Sequence, residues 1–151
     1  MVEIVTYKSE YADAFMSLNY AWIEQLFGIE EPDKLILGDP EGQIINKGGE
    51  VLIALLNSKP VGACALVKKD EQTYELAKMA VSEETRGMKI GWQLGMGIVE
   101  KAKEFGAKKL VLETNSELKP AIGLYKKLGF QNICNSDASY QRCNVQMEMA
   151  L

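Results

Sequence analysis

Histidine is absent from this 151-residue chain, and that gap removes a large share of enzyme chemistry. Triads built on a histidine base, the HExxH zinc motif and Cys/His zinc fingers all need an imidazole, so no metal is expected. Cysteine is scarce: Cys64, Cys134 and Cys143 stand apart with no CxxC, a set that suits buried thiols in a reducing compartment. No apolar run approaches the length of a membrane span. The amino-terminal MVEIVTYKSE lacks a basic segment followed by an apolar one, so no signal peptide and no membrane are expected, and the cytoplasm is the expected location. Positive charge is not in excess either. The formal net charge is −4, which speaks against a nucleic-acid partner.

What is present describes an ordinary globular chain. Hydrophobic residues make up 47% and charged residues 25%, and the length suits one domain, residues 1–151, with a substantial core. VEIVTY, Val2 to Tyr7, reads as a strand. Ser9 is placed to cap a helix on which Tyr11, Phe15, Leu18, Trp22 and Leu26 share a face, and Gly28 stops it. An acidic, proline- and glycine-bearing segment from Ile29 to Gly49 predicts a short helix around Pro32 to Leu37 and an irregular loop. Three strands come next, Glu50 to Leu56, Val61 to Lys68 and Thr73 to Val81, joined by short polar turns that imply antiparallel neighbours. Ile90, Leu94, Ile98, Ala102 and Phe105 line a helix ended by Gly106. Lys109 to Thr114 is a strand, and its crossover is expected to be parallel and right-handed. Ala121, Leu124, Tyr125 and Leu128 share the face of another helix, ended by Gly129. A strand begins at Phe130, and Val145 to Met149 alternates as the last. This order predicts an α+β fold with a mixed sheet. A doubly wound nucleotide fold would alternate strand and helix throughout.

The stretch RGMKIGWQLGMG, Arg86 to Gly97, crowds glycine where a strand leads into a helix. First-turn amides have no partner inside a helix and carry partial positive charge, so such a junction suits a phosphate. Arg86 and Lys89 add cations at the same end. GxxxxGK[ST] is absent and the spacing does not match GxGxxG. Gly95 and Gly97 lie inside the helix, where each costs about 1 kcal/mol against alanine, and close packing explains them better. Close packing is the other reading for Gly91 too, but Arg86, Gly87 and Gly91 sit at the mouth, where the anion reading gains.

AKMAVSEETRGMKIGWQLG together with LVLETNSELKPAIGLYKKLGF resembles the GNAT superfamily of acetyl-CoA-dependent N-acetyltransferases, most strongly from Tyr74 to Phe130. Arg86 and Gly91 match the ends of the family's Arg/Gln-x-x-Gly-x-Gly/Ala signature, while Lys89 stands where the inner glycine is usual. LYKKLGF, Leu124 to Phe130, is a second match. The resemblance implies a three-layer fold, a central mixed and mostly antiparallel sheet with a V-shaped splay and helices on both faces. It also implies acetyl-CoA as cosubstrate. Backbone groups of Met79, Ala80 and Val81 would hold the pantetheine arm, with a bulge in their strand opening the slot. Amides from Arg86 through Gly87, Met88, Lys89, Ile90 and Gly91 to Trp92 would cup the pyrophosphate. Asn115 would reach the pantetheine amides, although Leu118 replaces the asparagine frequent in the family.

Two residues stand out for chemistry. Tyr125 resembles the tyrosine that family members set beside the cofactor sulfur, where a phenol can protonate a departing thiolate; on periodicity alone it is a half-buried member of an apolar helix face. Glu75 is the candidate base. Strict alternation places it on one face with Ala77, Met79 and Val81, where apolar surroundings would raise its pKa; its other reading is a solvated charge at a strand's start. A covalent acetyl-cysteine has no histidine to activate it. The acceptor expected is a primary amine, on a small molecule or a peptide. Glu24, Glu30, Glu31, Asp33 and Asp39, with Trp22, Phe27 and Tyr20, would favour a cationic one. The reading of a different class is a non-catalytic acyl-CoA-binding regulatory module of the same fold, and a homodimer is compatible with either.

Overall fold

The computed structural model describes residues 1–133 and 144–151; Cys134 and Cys143 lie outside the described residues. The strands are β1 (Val2–Thr6), β2 (Glu50–Leu56), β3 (Lys59–Lys68), β4 (Thr73–Val81), β5 (Lys109–Thr114), β6 (Gln131–Ile133) and β7 (Val145–Ala150), and the helices α1 (Ala12–Leu26), α2 (Glu31–Gly38), α3 (Pro40–Gln43), α4 (Ile90–Glu104) and α5 (Lys119–Leu128). The strands form one sheet in the order β1-β2-β3-β4-β5-β7-β6. β4 and β5 pair in parallel and every other pair is antiparallel. The expected mixed sheet, with α4 as the crossover between its parallel strands, is therefore what the chain adopts.

The sheet is covered on both faces, which explains why EVLIALL is apolar throughout. Leu52 and Ala54 join Leu66, Leu76, Leu94, Ile98, Leu110 and Leu112 in a core under α4 and α5. Val51, Ile53 and Leu55 join Phe15, Ile23, Leu37, Ala63 and Ala65 in a second core under α1 and α2. Local chemistry sets the turns. Asn57 and Ser58 both take left-handed φ, 51° and 70°, the geometry that closes a two-residue hairpin. The Asp70 carboxylate accepts the amides of Gln72 and Thr73 at 2.9 and 2.8 Å.

Helix α1 departs from the expected face. Its fully buried line is Phe15, Asn19 and Ile23, while Leu26 is 56% exposed. Asn19 interrupts the apolar pattern, so the stripe that looks continuous in the sequence is rotated from the one that packs. The asparagine sits there by donating its side-chain N–H to the Phe15 carbonyl at 3.1 Å. Ser9 is no cap: it opens a short 3-10 turn with no side-chain cap, and α1 begins at Ala12. Phe105 is 39% exposed rather than buried, although its ring lies 5.9 Å from that of Tyr74.

β4 carries the irregularity that opens the sheet. Against β5 it pairs only from Thr73↔Lys109 to Glu75↔Val111. Against β3 the register shifts between Ala63↔Ala80 and Ala65↔Ala77, so Lys78 and Met79 together oppose Cys64. Lys78 takes φ 54°, the left-handed first position of a bulge that glycine usually fills. From Leu76 onward β4 leaves β5, and the sheet opens as a V.

The rotated face of α1 makes a testable contrast. Phe15→Ala should cost about 3–5 kcal/mol of stability and Leu26→Ala less than about 0.5 kcal/mol, read by denaturant unfolding.

Candidate active site

The V opens into a cavity of about 330 Å3. One wall is α1, with Trp22, Ile23, Leu26 and Phe27; the other carries Leu118, Pro120, Ala121 and Tyr125 of α5 and the turn before it. β4 contributes Glu75 through Val81 and the end of β5 contributes Glu113, Thr114 and Asn115. The sequence candidates Glu75, Met79, Ala80, Val81, Asn115 and Tyr125 thus line one cavity. Arg86, Gly87, Met88, Lys89, Ile90, Gly91 and Trp92 do not line it. They come after Val81 and the turn Ser82–Thr85, and they open α4.

The bulge overturns one expectation. Glu75 shares a face with Ala77, because their partners Val67 and Ala65 both face α1. Val81 pairs with Gly62, whose missing Cβ would point at Ile90 and Leu94 of α4, and Met79 packs on that same core. One inserted residue switches the alternation, so Met79 and Val81 face α4 while Glu75 faces α1. Glu75 and Tyr125 approach the cavity from the two sides of the opened sheet.

The two side chains differ in electrostatics. Burial raises the Glu75 pKa; the Lys69 ammonium, 3.6 Å from its carboxylate, opposes this, Glu113 reinforces it and Lys78 opposes it. Tyr125 is 7% exposed, its ring edge-on to Phe130 at 6.1 Å. Burial, and secondarily Cys64, pushes its phenol far up, so it keeps its proton at neutral pH. Cys64 is itself fully buried and its thiol is raised by burial, the opposite of an activated nucleophile. Asn115 uses its side-chain oxygen locally, accepting the Glu117 amide at 2.8 Å.

At the start of α4, the helical ladder begins where Gln93 N–H donates to the Lys89 carbonyl at 3.1 Å. The amides of Ile90, Gly91 and Trp92 precede that bond and have no acceptor within the helix. The Ile90 side chain is in the core, so only its backbone can serve a ligand. Gly87, at φ 88°, has open space where a Cβ would stand. Gly91 has a packing role as well, since a Cβ there would lie 3.2 Å from Leu124 of α5. Gly95 and Gly97 are packing positions: their Cβ atoms would meet Leu128 at 2.5 Å and Leu52 at 2.8 Å. Lys89, exposed, adopts φ 59°. Its position needs a left-handed backbone, which is the physical reason for glycine there, and lysine takes the same conformation at a cost.

The acidic segment is not the cavity wall that the sequence suggests. Among the described residues, Glu24, Glu30, Glu31, Asp33 and Asp39 are all absent from the lining. Glu31 pairs with Lys34 at 3.2 Å, Asp39 accepts the Gly42 amide at 3.0 Å, and Asp33 is fully buried with its carboxylate 2.7 Å from the Lys78 ammonium. Trp22 and Phe27 do line the cavity, but Tyr20 does not. Among the described residues, the carboxylates that line it are Glu75 and Glu113. Sequence reasoning misses Glu113, Lys69 and Lys78. The register that matches Glu75 to Val111 puts Glu113 on the Glu75 side of the sheet, and no run of residues displays that register.

A splayed mixed sheet with a helix entering beside its open β4 edge is the acyltransferase architecture that the motifs imply. The chain belongs to the acetyltransferase (GNAT) family, whose model matches residues 9–130. It is 32% identical over 102 residues to Uncharacterized N-acetyltransferase YvbK of Bacillus subtilis, covering 66% of each chain. It spans about one third to two thirds of the length of the curated relatives it matches. Its fold superposes on an acetyltransferase of the GNAT family from Staphylococcus aureus with a TM-score of 0.90, at 23% identity over 99% of both chains. It also superposes on a Bacillus subtilis acetyltransferase in complex with CoA with a TM-score of 0.76, at 22% identity over 100% of this chain and 99% of the other.

Lys89→Gly should relieve the left-handed cost of about 1 kcal/mol, raising the melting temperature by about 2–4 °C in a thermal unfolding scan.

Proposed function

We propose that this protein transfers an acetyl group from acetyl-CoA directly to a primary amine. The observation that carries the reading is that Tyr125 and Glu75 line one cavity at the opened edge of β4, in a chain of the acetyltransferase family. The residues present suit the cosubstrate. Beyond Glu75 the β4 edge is unpaired with β5, leaving Met79–Val81 for the pantetheine amides. The first-turn amides of α4 and open space at Gly87 suit a diphosphate. Acetyl-CoA, when bound, supplies the activated acyl group.

The chain's own groups supply proton transfer. Glu75, whose pKa burial raises, takes a proton from the amine. Tyr125, protonated at neutral pH, gives one to the departing sulfur and regains it from the second proton that the nitrogen sheds as the amide forms. The acceptor is a cationic amine on an apolar body. Glu75 and Glu113 attract the charge, and Trp22, Leu26 and Phe27 offer the body an apolar wall. Holding both substrates in one cavity accounts for much of the rate.

Thiol release from acetyl-CoA over a panel of amines checks the reading. Cationic amines with apolar bodies should outrun neutral ones, and the preference should shrink in Glu113→Gln. CoA binding with no thiol release from any amine would leave a binding module instead. Tyr125→Phe should lower kcat about 10²-fold.

The pH profile tests the base separately. Activity requires ionised Glu75, so it should fall as pH drops through the raised Glu75 pKa. Lys69→Met removes a cation that favours the carboxylate, and should move that acid limb to higher pH. Glu75→Gln should abolish the limb together with most of the rate.

A further inference from the structure

Lys78 carries three unusual features at once. It is the left-handed residue of the β4 bulge, at φ 54°. Its ammonium is buried, with the side chain 4% exposed, and lies 2.7 Å from the fully buried Asp33 of α2. It also lines the cavity. A strained backbone position persists where its surroundings over-determine it, and such positions gather at functional sites. Glycine would hold the same bulge without strain, so the backbone angle alone does not explain a lysine. A buried ion pair is weak evidence for stability, because desolvation offsets the attraction. What the pair can do is fix position.

Asp33 shows what is fixed. One carboxylate oxygen takes the Lys78 ammonium and the other accepts the Glu30 amide at 2.9 Å, at the start of α2. A single carboxylate therefore ties the first turn of α2 to the bulge. The bulge in turn decides which backbone groups face the open edge, since a slip of one residue would exchange the roles of Met79 and Ala80.

We infer that the Lys78–Asp33 pair is a positioning latch: by tying α2 to the β4 bulge it holds the Met79–Val81 edge in the register that receives CoA. The inference rests on the reading of that edge as the CoA slot. Lys78 is thereby a positioning residue that acts through the backbone of its own strand.

The test compares the wild-type chain with Asp33→Asn/Lys78→Met. Asparagine keeps an oxygen for the Glu30 amide, methionine keeps most of the volume, and the charges leave together, which folded proteins tolerate. Thermal melting reads the fold and calorimetry with CoA reads the slot. The expected result is a folded double variant, melting within about 5 °C of wild type, whose CoA affinity falls about tenfold or more. Equal CoA affinity in a folded double variant overturns the latch. Should that variant fail to fold, Asp33→Glu decides the matter. It keeps both charges and lengthens the reach by one methylene; weakened CoA binding supports the latch and unchanged binding overturns it. Failure of the wild-type protein to take up CoA is a different result, which removes the slot itself.

Discussion

One interruption of hydrogen bonding governs this molecule: β4 stops pairing with β5 after Glu75. Backbone amides and carbonyls in a sheet interior need partners, and leaving them without any costs free energy. A strand that departs from its neighbour inside a sheet covered on both faces therefore creates an edge that a ligand can complete. The bulge at Lys78 and Met79 makes the departure possible, since it bends β4 while keeping its pairing with β3 on either side. The cavity, the approach of α1 from one face and α5 from the other, and the presence of Glu75 and Tyr125 in its lining are all consequences of that opening.

Two lysines in left-handed conformation flank the open edge, Lys78 before it and Lys89 after it. Such a conformation costs a non-glycine residue roughly 1–2 kcal/mol, and glycine is available to evolution at both positions. The two cases differ in what the side chain returns. Lys89 is exposed at the mouth of α4, where its side chain is not packed into the interior, so glycine there is a gain in stability. Lys78 is buried against Asp33, and glycine there would remove the cation that faces this buried carboxylate. Both positions hold the same local geometry, but the lysine side chain is built into the packing only at Lys78.

Much of the architecture is legible in the sequence because hydrophobic period and turn chemistry are local. The strands of the central hairpins, the crossover helix with Ile90, Leu94, Ile98 and Ala102 inward, and the stops at Gly28, Gly106 and Gly129 can all be read from neighbouring residues. The features that escape such reading depend on partners distant in sequence. Alternation carried through Lys78, as if β4 were regular, puts Met79 and Val81 on the wrong side relative to Glu75. A bulge depends on the neighbouring strand's register, and TYELAKMAV does not display it. The acidic residues after α1 suggest a wall for the acceptor, yet charge in a sequence does not say where a side chain points. Asp33 turns inward to Lys78 while Glu113, hidden in an ordinary strand, reaches the cavity. Asn19 similarly disguises the packed face of α1.

The charges around Glu75 give the proposed reaction an order. Burial and the neighbouring Glu113 favour the neutral acid, while Lys69 and Lys78 favour the carboxylate, and burial prevails. A cationic amine entering beside Glu75 and Glu113 adds positive charge next to both, and an opposite charge within several ångströms favours ionisation. In the proposed reaction a cationic acceptor would thereby shift Glu75 toward the form that can deprotonate it. An amine that enters neutral brings no such shift. On the proposed reading, preference for a charged acceptor and generation of the base would be one electrostatic event, made possible because the strand that carries Glu75 leaves its neighbour at the next residue.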